Sequence, residues 1–250
     1  FHFFNPVPLM KIVEVVRGEL TDPQVIQRLA ALAGHAGHFA ATTPDSPGFL
    51  VNHAGRAFGP EALRILGEGI ATPAQIDRIL KDSLGFRMGP FELFDLVGLD
   101  ISHAVMESIH AQFYHDPRYT PSALVPPRLA SGLLGRKTGQ GFYRYQDGRV
   151  VEQAEQSPPQ VAITQPFWLD CDDSAMRERI AAVLSAAGVV LEQGDQPSAN
   201  AICLVTPLGE DASSVIARKR LPPQRSLALE TFVGFDTRRV LMRPPDRKSV

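Results

Sequence analysis

Hydrophobic positions in the first 45 residues fall into short, strand-like groups interrupted by one helical stretch. Phe1-His2-Phe3-Phe4 and Ile12-Val13-Glu14-Val15-Val16 read as two extended pieces, the first aromatic and the second β-branched. Asn5-Pro6-Val7-Pro8 lies between them, and its prolines fix φ and restrict the residues before them, so the chain can fold back there. Gly18 ends the second piece. Thr21 is placed to cap a helix, with Asp22 and Pro23 in its first turn and Val25, Ile26, Leu29 and Leu32 at helical spacing. Gly34 and Gly37 break it, and His38-Phe39-Ala40-Ala41 reads as another strand.

From about residue 46 to 135 the period is helical. Ser46-Pro47-Gly48 opens one helix through Phe49, Val51, Ala54, Phe58, Ala62 and Ile65. Thr72-Pro73-Ala74-Gln75 opens a second with a capping-box pattern, and Gly89-Pro90 a third. Leu99 to Phe113 extends the helical content. The run from Gly135 to Tyr145 is glycine-rich and then aromatic, a loop that closes the helical block. Residues 146–166, with Pro158-Pro159 among Gln, Glu and Ser, have a linker's composition. Beyond them, Phe167-Trp168-Leu169, Val189-Val190-Leu191, Ala201 to Val205 and Leu227-Ala228-Leu229 read as strands. Met176 to Ala186 and Ala212 to Arg220 read as helices between them, the alternation of a small α/β unit.

Charge adds little to this picture. With 25 basic and 27 acidic residues, the formal net charge is -2, which gives no one-signed field to attract nucleic acid or an anionic membrane surface. The cluster Arg218-Lys219-Arg220 with Arg225 reads as a solvated helix end. Cys171 and Cys203 share no motif spacing with each other or with a histidine, so neither a disulfide framework nor a metal site is expected. His35 and His38 have the spacing of one helix face, but glycine breaks that helix. No apolar run approaches the ~20 residues of a membrane span, and a cytoplasmic location is expected. Because the chain opens on Phe1 in mid-pattern, we expect upstream chain to be missing.

The chemistry concentrates on Glu14, a carboxylate among four β-branched residues. Buried and ionised, it would need a partner; on a half-exposed strand it would face water. His2 is the candidate partner. Along a straight strand the two would stand about 40 Å apart, at ~3.3 Å per residue, so they meet only if the chain reverses at Asn5–Pro8. A carboxylate that selects the imidazole tautomer and stabilises the imidazolium makes the histidine a general base. No GxGxxG fingerprint occurs. Gly67-Glu68-Gly69-Ile70 follows a helix rather than a strand, so no residue is assigned to a dinucleotide.

The run His2-Phe3-Phe4-Asn5-Pro6-Val7-Pro8-Leu9-Met10-Lys11-Ile12-Val13-Glu14-Val15 closely resembles the catalytic segment of the L-3-hydroxyacyl-CoA dehydrogenase family. The resemblance continues at Ser46-Pro47-Gly48-Phe49-Leu50-Val51-Asn52 and at Gly85 to Leu93, then through Asp95 to Gly98-Leu99-Asp100. It ends at Gly135-Arg136-Lys137-Thr138-Gly139-Gln140-Gly141-Phe142-Tyr143, so it spans about 145 residues.

It implies that His2 is the base, Glu14 its partner, and Asn52 and Asn5 substrate-binding residues, with NAD as cofactor and an acyl-CoA as substrate. For Asn52 a core or capping role is the plainer reading of the residue itself. Lys137 reads as a solvated loop residue or a contact to a CoA phosphate, and Glu92 and Asp95 as charges at a helix N-terminus. His53, His103, His110 and His115 have no identifiable partner.

The implied architecture has four parts. Residues 1–44 are the terminal strands of a Rossmann-type NAD-binding domain, and 45–146 an all-α substrate and dimerisation domain. A linker spans 147–165, and a small degenerate α/β domain spans 166–250, similar to a segment of long bacterial 3-hydroxybutyryl- and 3-hydroxyadipyl-CoA dehydrogenases of aromatic-acid breakdown. A homodimer through exposed apolar helix faces around Phe91, Phe94 and Val97 is expected. The alternative is a non-catalytic acyl-CoA-binding and oligomerisation module.

Overall fold

The computed structural model describes residues 1–4, 6–55, 57–151, 163–232, 239, 241 and 242. The chain forms two compact units: residues 1–77 with 88–152, and residues 78–87 with 153–250. Among the described residues no helix is long and apolar enough to cross a membrane.

The first unit begins with β1 (His2–Phe3), β2 (Ile12–Arg17), α1 (Pro23–His35) and β3 (Phe39–Pro44). The chain reverses at the proline segment, where Leu9 and Met10 donate their amides to the Pro6 carbonyl. This makes β1 antiparallel to β2, with His2 directly opposite Glu14. β2 is the central strand, because β3 pairs with it in parallel on the other side. Val13 and Val15 are fully buried on the face opposite Glu14, and Glu14 itself is fully buried. The half-exposed strand considered for Glu14 is therefore not what forms, since the Glu14 side chain is met by His2 and by the backbone at Leu50 and Val51.

Two helix boundaries differ from the sequence reading. Asp22, not Thr21, caps α1 by accepting the Gln24 amide, with Pro23 in the first turn; Thr21 accepts the Gly18 amide instead. Gly34 lies within α1, which runs on to His35.

The helical block contains α2 (Val51–Gly55), α3 (Phe58–Gly67), α4 (Pro73–Leu84), α5 (Pro90–Val97), α6 (Leu99–Gln112) and α7 (Val125–Ala130). The single helix expected from Ser46 to Ile65 is split. A turn with Gly48 at φ 75° and Phe49 at φ 47° precedes α2, and α2 ends at Gly55. The capping box forms as read, with Thr72 and Gln75 exchanging hydrogen bonds of 2.9 and 3.3 Å. Phe91, Leu63, Leu99 and Val125 are fully buried at the centre, and Phe94 is nearly so. This corrects the expected dimer face: of Phe91, Phe94 and Val97, only Val97 is exposed, together with Leu93 and Leu96 on α5 and Ile101 on α6.

The glycine-rich run closes this block around two buried carboxylates. Asp95 accepts the amides of Phe142 and Tyr143 and the Tyr145 hydroxyl. Asp77 accepts the amides of Phe91 and Glu92 and the Tyr143 hydroxyl. A Cβ on Gly141 would fall 2.1 Å from the Asp95 carboxylate, so the loop's glycine is a requirement of close approach. Glu92 does sit in the first turn of α5 and accepts the Gly89 amide. Asp95, read as a helix-end charge, instead serves as the loop's anchor. Lys137 pairs with Asp100 at 2.5 and 2.8 Å. The run ends in a hairpin of β4 (Tyr145–Gln146) and β5 (Arg149–Val150), so the first residues of the expected linker are strand. Residues 152–162 of that linker lie outside the described residues.

In the second unit, β6 (Phe167–Asp170), β7 (Ile202–Val205) and β8 (Ser226–Leu229) are parallel, and β9 (Leu241–Met242) closes the sheet antiparallel to β8. The connections from β6 to β7 and from β7 to β8 carry α8 (Ser174–Ala186) and α9 (Ala212–Arg218). Trp168, Cys203 and Val205 enter one buried cluster with Val215 and Ile216, and Leu169, Leu204 and Leu229 enter another with Ile180. Val189–Leu191 forms no strand; Leu191 makes one isolated bridge to Phe167. The basic cluster is partnered: Arg218 bonds Glu210 and Lys219 bonds Asp170.

Burial raises the pKa of both Asp77 and Asp95 above the usual carboxylate range, despite the hydrogen bonds that favour their anions. Between the unfolded value and the raised folded value, the folded chain holds a proton the unfolded chain has released, so each acid's stabilising contribution falls as pH rises. Asp95→Asn should cost about 1–3 kcal/mol by turning an amide NH₂ toward buried donors. That cost should be largest near pH 4 and shrink toward pH 7 in denaturant unfolding of variant against wild type.

Candidate active site

Glu14 reaches the site from the centre of β2. Its Oε2 lies 2.6 Å from His2 Nδ1, and its Oε1 accepts the amides of Leu50 and Val51 at 2.9 and 2.7 Å. The carboxylate is fully buried while the His2 side chain is 37% exposed. One end of the pair is thus sealed and the other open, as an acid–base group needs. An ionised carboxylate is acceptor-only, so Nδ1 carries the proton, and Nε2 is left without that bond and able to accept one. The Phe4 and Phe49 rings stand edge-on to the imidazole, with centroids 4.9 and 5.3 Å away.

The two amides held by Glu14 lie at the start of α2, so the same carboxylate fixes both the His2 imidazole and the entry to this helix. Asn52, one residue further, is half-buried. It lines a cleft of about 650 Å³ with Ser46, Phe49 and the α6 residues Asp100, Ala104 and Ser108. Asn5 lies outside the described residues. The other histidines are placed apart from this pair. His53 approaches the Pro47 carbonyl, His103 pairs with Glu107, and His110 and His115 meet edge to face. Among the described residues no group of three or more histidine, cysteine or acidic side chains could hold a metal ion.

Sequence reasoning anticipated the His2–Glu14 contact but missed Phe49 and the amides of Leu50 and Val51. Gly48 was the available signal. A glycine beside a bulky aromatic, between a strand and a polar helix residue, marks a turn that L side chains resist.

Residues 1–45 match the family model described as 3-hydroxyacyl-CoA dehydrogenase, NAD binding domain, and residues 48–145 match 3-hydroxyacyl-CoA dehydrogenase, C-terminal domain. Through these two segments the chain belongs to the 3-hydroxyacyl-CoA dehydrogenase family. A 3-hydroxyadipyl-CoA dehydrogenase of Escherichia coli K12 is 41% identical over 148 residues, 59% of this chain and 31% of its own length. The crystal structure of an (S)-3-hydroxybutyryl-CoA dehydrogenase from Ralstonia eutropha is similar with a TM-score of 0.56 and 43% identity, over 58% of this chain and 51% of that one. That of a 3-hydroxybutyryl-CoA dehydrogenase from Escherichia coli K12 reaches a TM-score of 0.67 at 28% identity, over 93% of this chain and 44% of that one. The chain thus spans between about a third and a half of the length of these relatives.

Replacing Glu14 with Gln keeps the shape but can offer only one carbonyl oxygen to three donors. We expect a loss of about 1–3 kcal/mol in stability, read as a lowered thermal midpoint. Unchanged melting would mean that the buried carboxylate does not hold α2.

Proposed function

We propose that this chain carries the base and the substrate-holding residues for NAD-dependent oxidation of an L-3-hydroxyacyl-CoA to the 3-ketoacyl-CoA. The observation that carries this reading is the 2.6 Å contact between His2 and the fully buried Glu14. His2 takes the hydroxyl proton on Nε2, and Glu14 stabilises the imidazolium that results. Asn52, from the cleft wall beside Phe49, holds the substrate oxygen. NAD, when bound, accepts the hydride from C3. Residues 1–45 supply strands of the sheet but no glycine-rich turn between a strand and a helix, so no residue of this chain is assigned to the cofactor.

A non-catalytic acyl-CoA-binding module is the weaker reading, because binding alone does not call for an imidazole poised on a sealed carboxylate. The exposed stripe of Leu93, Leu96, Val97 and Ile101 supports a homodimer through the helical block.

The reading is tested in the protein carrying this chain by reduction of acetoacetyl-CoA with NADH. His2→Gln should lower kcat by roughly 10²–10⁴, the usual worth of a positioned base, and equal rates would remove His2 from the mechanism. Asn52→Ala should act mainly on KM. Leu96→Glu should shift the protein toward monomer in light scattering; an unaltered mass would place the dimer face elsewhere.

A further inference from the structure

Phe49 is where backbone strain and site geometry coincide. Its φ of 47° places a bulky aromatic residue in the left-handed region, which such side chains enter only when the surroundings impose it. Gly48 precedes it at φ 75°, and a Cβ there would lie 2.9 Å from the His53 amide nitrogen. Together the two residues turn the chain from β3 into α2. The amides that follow, Leu50 and Val51, are those held by Glu14. The carboxylate that binds His2 therefore also secures the strained turn.

The strain has a visible result: the Phe49 ring meets the His2 imidazole edge-on at 64° and lines the cleft beside Asn52. Glycine or asparagine would make the same turn at little cost, so the turn itself does not require phenylalanine. What only an aromatic side chain supplies there is the ring on His2, opposing the Phe4 ring that also stands edge-on to it.

We propose that Phe49 is a positioning residue for His2: with Phe4 it fixes the plane of the imidazole and keeps water off the Nδ1–Glu14 hydrogen bond. This rests on the dehydrogenase reading for its effect on rate, but not for its effect on the imidazole.

Three variants separate ring, bulk and turn. Phe49→Gly relieves the backbone and removes the ring, Phe49→Leu keeps apolar bulk, and Phe49→Tyr keeps the ring. In the protein carrying this chain, the Gly and Leu variants should lose roughly tenfold or more in kcat with KM little changed, as for a misplaced catalytic group. The Tyr variant should recover most of the rate, and the Gly variant should melt no lower than the Leu variant. In the chain itself, proton–nitrogen NMR should show the His2 Nδ1–H signal in wild type and in Phe49→Tyr, and its loss to water exchange in Phe49→Gly. A signal that persists in Phe49→Gly overturns the proposal, as does a rate loss that merely parallels lost stability. A wild-type signal that behaves as expected, in a protein that turns over no acetoacetyl-CoA, supports the positioning role while the dehydrogenase reading fails.

Discussion

A carboxylate shut away from water must have its oxygens satisfied, or the fold around it fails. Glu14 meets this demand with three donors from two places: the imidazole on the neighbouring strand and two backbone amides at the start of α2. The sheet of β1, β2 and β3 and the helical block are thereby tied at one point. The register of β1 on β2, the turn through Gly48 and the position of Asn52 all follow from satisfying that one group. Of the three donors, only the imidazole is titratable, and it is partly exposed.

The helical block repeats the same physical device for a different end. Asp77 and Asp95 are also buried carboxylates that accept backbone amides from distant segments, but their remaining donors are the hydroxyls of Tyr143 and Tyr145. Burial and the adjacent acid push each phenol upward, so these hydroxyls remain donors throughout the physiological range. Both sets tie the returning segment 142–145 to carboxylates far from it in sequence. The glycine-rich run and the GPFEL segment are conspicuous in sequence for this architectural reason.

Much of this was legible in the chain. Helices with strong apolar spacing and proline or capping signals, such as α4, α5 and α6, appeared close to where they were read. The strand Ile12–Arg17 and the reversal at Pro6 and Pro8 were also visible, because proline chemistry is local. What escaped was whatever depended on distant segments. Asp95 looks like a helix-end charge until residues 142–145 return to it. Phe91 and Phe94 look like an exposed face until Phe142 packs on them. The helix expected from Ser46 starts only at Val51, after the positive-φ turn of Gly48 and Phe49, where Glu14, far away in sequence, accepts two amides. Periodicity describes an isolated segment, and these residues answer to partners it cannot see.

The account rests on His2 and Glu14 acting as one unit, and a double-mutant cycle on kcat/KM measures that directly. If the carboxylate works only through the imidazole, His2→Gln with Glu14→Gln will be no slower than His2→Gln alone. If the two losses instead multiply, the residues act independently, and the coupled base described here is wrong.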